Sequence, residues 1–146
     1  MAIQRMDNVL VVVEDLEAVI AFFVALGMEE EGRFPLDERW AGRVIGLEDV
    51  RQEVAMLRIP GAPGRIELAR FHTPKAVAGV PDDAPSNTRG IRRVMFAVDD
   101  IDDTVARLRA HGAELVGTIE QFENVYRLCY VRGPEGIVVG LAEELG

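Results

Sequence analysis

The chain has 146 residues, nearly half of them hydrophobic, and a formal net charge of −9. That length suits one ordinary domain or two intimately packed half-domains with a sizeable core. The charge argues against a nucleic-acid partner, whose phosphates would be repelled, and no apolar run reaches the ~18 residues of a membrane span.

Residues 8–13 are apolar and β-branched and predict a strand buried on both faces. Asp15 follows where a helix N-cap is expected. Leu16, Val19, Ile20, Phe23 and Leu26 recur at helical spacing, and Gly27 supplies a left-handed stop. Strand-like runs come next at about 28–34, 51–59 and 64–70. An extra piece at 35–49 holds Trp40, the chain's one tryptophan, and predicts a short helix near 38–45. The stretch 60–64, Pro-Gly-Ala-Pro-Gly, is a turn, and residues 72–89, with three prolines, read as a linker.

The grammar then repeats. Residues 8–32 align without a gap on 93–117 at a constant offset of 85 (93 − 8). Val9 meets Val94, Asp15 meets Asp100, Gly27 meets Gly112 and Gly32 meets Gly117. Asp100 is the second cap, Ile101, Val105 and Leu108 the second stripe, and strands are expected at about 113–122, 125–132 and 136–142. The acidic pairs Glu14-Asp15 and Asp99-Asp100 read as caps that complement the helix dipole rather than as catalytic carboxylates. The organisation is α+β: a βαβββ module at 1–71, a linker at 72–89 and a second module at 90–146. A small sheet with one helix leaves one face bare, and two such sheets side by side predict a cup with helices outside and a cavity inside.

Scarcity removes mechanisms. Ser86 and Lys75 are the sole serine and lysine and both lie in the linker; Cys129, the sole cysteine, lies in an apolar strand. A serine triad, a buried Schiff-base lysine and a reactive thiolate are therefore unsupported, and no phosphate-binding glycine motif is present. One cysteine excludes an internal disulfide and fits a reducing compartment, so the expected location is cytoplasmic. His72 and His111 are expected at the surface or in caps.

The segments VEDLEAVIAFFVALGM, FAVDDIDDTVARLRAHGAEL, RIELARF and YVRGPEGIVVGLAEEL resemble the vicinal oxygen chelate superfamily: glyoxalase I, extradiol dioxygenases, methylmalonyl-CoA epimerase, and the fosfomycin and bleomycin resistance proteins. The resemblance covers essentially the whole chain and implies the tandem βαβββ cup. It also implies one divalent metal, held by four side chains at positions that here are Asn8, Glu67, Arg93 and Gly140. Only Glu67 matches. A divalent ion about 5 Å from a guanidinium feels roughly 7 kcal/mol of repulsion at an effective dielectric near 20. No metal and no other cofactor is therefore expected.

With those four positions pointing inward, strand alternation puts Leu10, Arg65 and Met95 on the cavity side as well, and Val9, Val11, Ile66, Leu68, Val94 and Phe96 against the helices. The candidate ligand-binding set is Asn8, Leu10, Arg65, Glu67, Arg93, Met95 and Gly140, with Trp40 as a lid over the cup. Phe34, Met56, Tyr126 and Tyr130 lie on segments able to border it. Glu67 and Arg93 are the candidate catalytic pair. They form either a buried ion pair plugging the vacant metal position, or an anchor and base for a carboxylate, phosphonate or enolate oxygen. Gly140, without a side chain, is expected to enlarge the cavity floor. The leading expectation is a homodimeric protein that binds a small organic molecule, after the bleomycin-resistance branch. A glyoxalase-type lyase or isomerase, a dioxygenase-like metal enzyme, a metal-independent proton-transfer catalyst and a purely structural or regulatory dimer are the alternatives.

Overall fold

A computed structural model describes residues 2–146. The elements run β1 (Val9–Val12), α1 (Leu16–Leu26), β2 (Glu29–Pro35), α2 (Arg39–Ile45), β3 (Arg51–Arg58), β4 (Arg65–Thr73), β5 (Val94–Ala97), α3 (Ile101–Arg109), β6 (Glu114–Leu115), β7 (Glu120–Phe122), β8 (Tyr126–Arg132) and β9 (Val138–Glu144). The chain divides into two compact units between Ala78 and Gly79. Each is one βαβββ module, so the architecture is the α+β arrangement expected of a duplicated unit.

In the first unit the sheet order is β1-β4-β3-β2, with β1 and β4 parallel and the other pairs antiparallel. A parallel first pair requires a crossover, and α1 supplies it. Asp15 caps α1 by accepting from the Ala18 N–H at 3.0 Å, and Gly27, at φ +128°, donates back to the Phe23 and Val24 carbonyls. The helix buries Leu16, Val19, Ile20, Phe22, Phe23 and Leu26, together with Ile66, Leu68, Ala55 and Leu57 of the sheet. Arg33 ties the assembly at its margin, bridging Glu30 on its own strand and Glu17 on α1. These two carboxylates raise the Arg33 pKa well above the ordinary guanidinium value.

The second unit repeats the order as β5-β9-β8-β6, with β7 also paired to β8. Asp100 accepts from Asp103 N–H at 3.0 Å, and Ile101, Val105 and Leu108 are buried with Cys129, Val131, Val139 and Leu141. Glu143 of β9 accepts from the Ile101 N–H at 2.7 Å, and Arg127 of β8 bonds Asp102, which locks the first turn of α3 to the sheet. Arg132 donates to the carbonyls of Asp82 and Ala84, so part of the stretch read as linker is strapped onto this unit.

Two expectations change. The strand over 8–13 alternates between half-buried and exposed residues, with Leu10 and Val12 exposed, so α1 covers only its Val9–Val11–Val13 side. The strand over 113–122 is two pieces. After the Val116 N–H bonds the Tyr130 carbonyl the chain bends at Gly117 and rejoins the sheet at Glu120.

Candidate functional site

Each unit has a helix face and an open face. In the second unit the odd positions of β8 and β9 carry the contacts to α3, so the even positions lie on the open face. Strand register fixes a row there: Met95 pairs with Gly140, and Gly140 with Tyr130. Arg93 stands one step before β5, exposed, and its guanidinium lies 4.1 Å from the centroid of the Tyr130 ring. It therefore reaches across β9 to stack on the ring, a cation–π contact of about 0.5–1 kcal/mol at an exposed site. A ring uses the flat face of a guanidinium and leaves its N–H edge open for oxygen acceptors. Sequence reasoning had Tyr130 only on a bordering segment; the signal for its role was its place beside Gly140 in the register.

Gly140 is not the open floor that its missing side chain suggests. A Cβ built there would lie 1.9 Å from Met95 Sδ and 3.0 Å from its Cε. Met95 is unbranched and polarizable, so it folds over the glycine and fills the place where the family's fourth ligand would project. The expected enlargement is thus taken up by a thioether.

In the first unit the matching row is Leu10, Glu67 and Met56. Glu67 is half-buried between these two apolar neighbours, and its carboxylate has no hydrogen-bond or ion-pair partner within its own unit among the described residues. Arg65, two residues earlier on the same face, is occupied: its Nε and Nη2 bond the two Glu31 oxygens at 3.0 and 3.1 Å. That pairing lowers the Glu31 carboxyl pKa and raises that of Arg65. A fork already closed on a carboxylate offers a ligand less than a free guanidinium does. Asn8 is exposed at the start of β1.

Taken unit by unit, neither pair of family positions, Asn8 with Glu67 or Arg93 with Gly140, supplies a donor set for a divalent ion. One carboxylate and one amide are offered, the third position is a cation stacked on a ring, and at the fourth the space is filled by Met95. No group of three or more His, Cys, Asp and Glu side chains able to hold a metal occurs among the described residues. His72 and His111 are both exposed. Cys129 is buried, and burial raises its thiol pKa, as suits an unreactive core residue. No helix among the described residues is long and apolar enough to cross a membrane.

Trp40 stands exposed on α2, beside an open depression of about 650 Å³ on the first unit. Gly42, Leu47, Val50 and charged residues from Asp37 to Arg51 line it. Sequence reasoning missed this depression, because it arises from the way α2 lies on the loop that follows it.

A family model described as the Glyoxalase/Bleomycin resistance protein/Dioxygenase superfamily matches residues 5–141. A glyoxalase family protein from Bacillus cereus has 53% identity and a TM-score of 0.95, covering 100% of this chain and 97% of its own. An antibiotic binding protein from a Streptomyces species is 22% identical with a TM-score of 0.63, covering 99% and 98%. A genomically encoded fosfomycin resistance protein from Listeria monocytogenes is 15% identical with a TM-score of 0.61, covering 99% and 95%. No curated protein matches the chain.

Proposed function

The chain belongs to the glyoxalase/bleomycin resistance protein/dioxygenase superfamily, and we propose that within it this protein binds a small organic anion on Arg93, without a resident catalytic metal. The observation that carries the reading is the Arg93 guanidinium seated on Tyr130 with its N–H edge free and its side chain exposed. A buried plug would be expected to sit dry against a carboxylate. An exposed, ring-supported fork is pre-organised for one, because the ring restricts the side chain before the ligand arrives. The surrounding open face is apolar and aromatic: Met95, Ala97, Leu128, Tyr130 and Ala142 share it. Arg132, also on that face, is engaged by the Asp82 and Ala84 carbonyls, and an apolar lining with Arg93 as its available cation suits a carboxylate or phosphonate attached to a hydrophobic body. The fosfomycin resistance and antibiotic binding proteins that share the fold show that it hosts proteins named for antibiotic resistance and binding.

Glu67 supports a second reading. Its carboxylate, flanked by Leu10 and Met56 and without a side-chain partner in its unit, is available as a general base in a metal-independent proton transfer. We place the protein in the cytoplasm, where Cys129 stays a thiol.

The test is unbiased. Protein purified under native conditions is released into a mass spectrometer beside the Arg93→Met variant. An anionic organic species carried by the wild type and absent from the variant supports the reading. A stoichiometric divalent metal, or the same cargo on both proteins, overturns it. Turnover of a bound anion that is lost in Glu67→Gln while binding persists selects the catalyst over the binder.

A further inference from the structure

We propose that the open face of the second unit carries a distal subsite, the Phe122–Tyr126 ring pair with Glu144 beside it, which takes an aromatic ring bearing a protonated amine. This subsite rests on the reading of Arg93 as the anchor of an anion, and it names the far end of the same molecule. Register places it. Phe122 pairs with Tyr126 across β7 and β8, and Tyr126 pairs with Glu144 across β8 and β9. Directly opposed residues project to one face, and Tyr126 shares that face with Tyr130 through strand alternation. The Phe122 and Tyr126 rings lie 5.6 Å apart at 32°, a tilted stack and not an edge-on contact. Such a stack leaves a broad ring face open, and Phe122 is 52% exposed. A cross-strand ring pair is enough to pin the hairpin. Pinning does not call for the acid in the same row: Glu144 is exposed, and its carboxylate has no hydrogen-bond or ion-pair partner among the described residues. Ring faces are electronegative and attract cations, and a free carboxylate beside them strengthens that attraction.

Between the two ends the face is low and apolar. The intervening row, Ala97–Ala142–Leu128, offers two methyl groups and a leucine. Glu120 at the edge of that row is occupied, since it accepts from the Thr118 hydroxyl at 2.6 Å. Tyr130 and Tyr126 are four residues apart along β8, about 13 Å at the rise of a strand. One unit therefore presents a guanidinium on a ring at one end and an acid beside two rings at the other, with a shallow apolar floor between. Its complement is a molecule of opposite polarity: a carboxylate or phosphonate, an apolar spacer of roughly 10 Å, and a basic aromatic group. A purely aliphatic anion would leave the rings in water. An anion at both ends would meet Glu144 with like charge, which costs affinity and selects against it.

The probes are octanoate, ω-phenyloctanoate and the para-aminomethyl derivative of the latter, titrated calorimetrically into the full chain. ω-Phenyloctanoate should bind about 10-fold more tightly than octanoate, and the amine about 3-fold more tightly again. Phe122→Thr, a strand former without a ring, should erase most of the first gain, and Glu144→Gln most of the second. Octanoate measured on each variant is the baseline for these ratios, and unchanged circular dichroism shows that the hairpin still forms. Arg93→Met should weaken all three probes alike. Equal binding of octanoate and ω-phenyloctanoate overturns the subsite and leaves Arg93 standing. So does a ring gain that survives Phe122→Thr, or an amine that adds nothing or ignores Glu144→Gln. Failure of every probe to bind, or binding indifferent to Arg93→Met, overturns the Arg93 reading and the subsite with it.

Discussion

The two units share one construction and differ along one row. Both follow the same strand order, both begin their helix with an aspartate that accepts from the N–H three residues on, and both turn out of it at a left-handed glycine. Across the open face, however, Leu10–Glu67–Met56 in the first unit becomes Met95–Gly140–Tyr130 in the second, and the preceding Asn8 becomes Arg93. The first row keeps a carboxylate between aliphatic neighbours. The second removes the side chain at that place, folds a methionine over the gap and rests a guanidinium on the neighbouring ring. Residues that hold the fold answer to backbone hydrogen bonding and packing, which both halves need equally. Residues on the open face answer only to what binds there, so they were free to diverge.

Substitution can break that contrast at its strongest point. Arg93→Met should weaken binding of the recovered anion roughly 10- to 100-fold, the magnitude of a lost hydrogen bond to a charged group. The matched change Asn8→Met in the first unit should leave titration calorimetry almost unaltered. Gly140→Glu, which restores the row of the first unit, drives a side chain into Met95 and should cost about 1–3 kcal/mol of stability in denaturant melts. Most of that loss should vanish in a Met95→Ala background, because the obstruction is one flexible side chain; a loss that persists there would mean the backbone itself is strained. Tyr130→Leu removes the ring under Arg93 and should cost about 0.5–1 kcal/mol of stability or binding, whichever the stacking serves.

A weaker contrast concerns acid. Arg127 holds the Asp102 carboxyl below its ordinary pKa in the second unit, as Arg65 does for Glu31 in the first. A carboxyl whose pKa is depressed on folding contributes stability above its unfolded value, and the contribution fades as pH falls through the folded one. Asp102→Asn should therefore lower stability slightly at neutral pH, leave it unchanged well below the folded pKa, and so flatten the acid limb of the stability profile. These groups are exposed, so the effect is small; an unaltered limb would show the pair to be solvent-screened.

Much of the scaffold was legible because it obeys local rules. The gapless repeat, the two capping aspartates and the two helix-ending glycines mark both modules, and strand alternation correctly separated Val9, Ile66 and Leu68 from Leu10 and Glu67. The features that escaped depend on tertiary neighbours. Nothing in the sequence says that Met95 lies over Gly140, since that follows from register across two strands 45 residues apart (140 − 95). Nor does periodicity reveal that Arg65 is taken by Glu31, because the β2 irregularity between Glu30 and Gly32 decides where Glu31 stands. The break after Leu115 escaped for a like reason: Val116 and Thr118 favour a strand, but the bend at Gly117 interrupts it.

The most direct measurement is native mass spectrometry of the freshly purified chain beside its Arg93→Met variant, with metal content determined on the same samples. A small organic anion is expected on the first protein, with its loss from the second and substoichiometric divalent metal in both. A full equivalent of metal that persists through purification, or a cargo indifferent to Arg93, would contradict it.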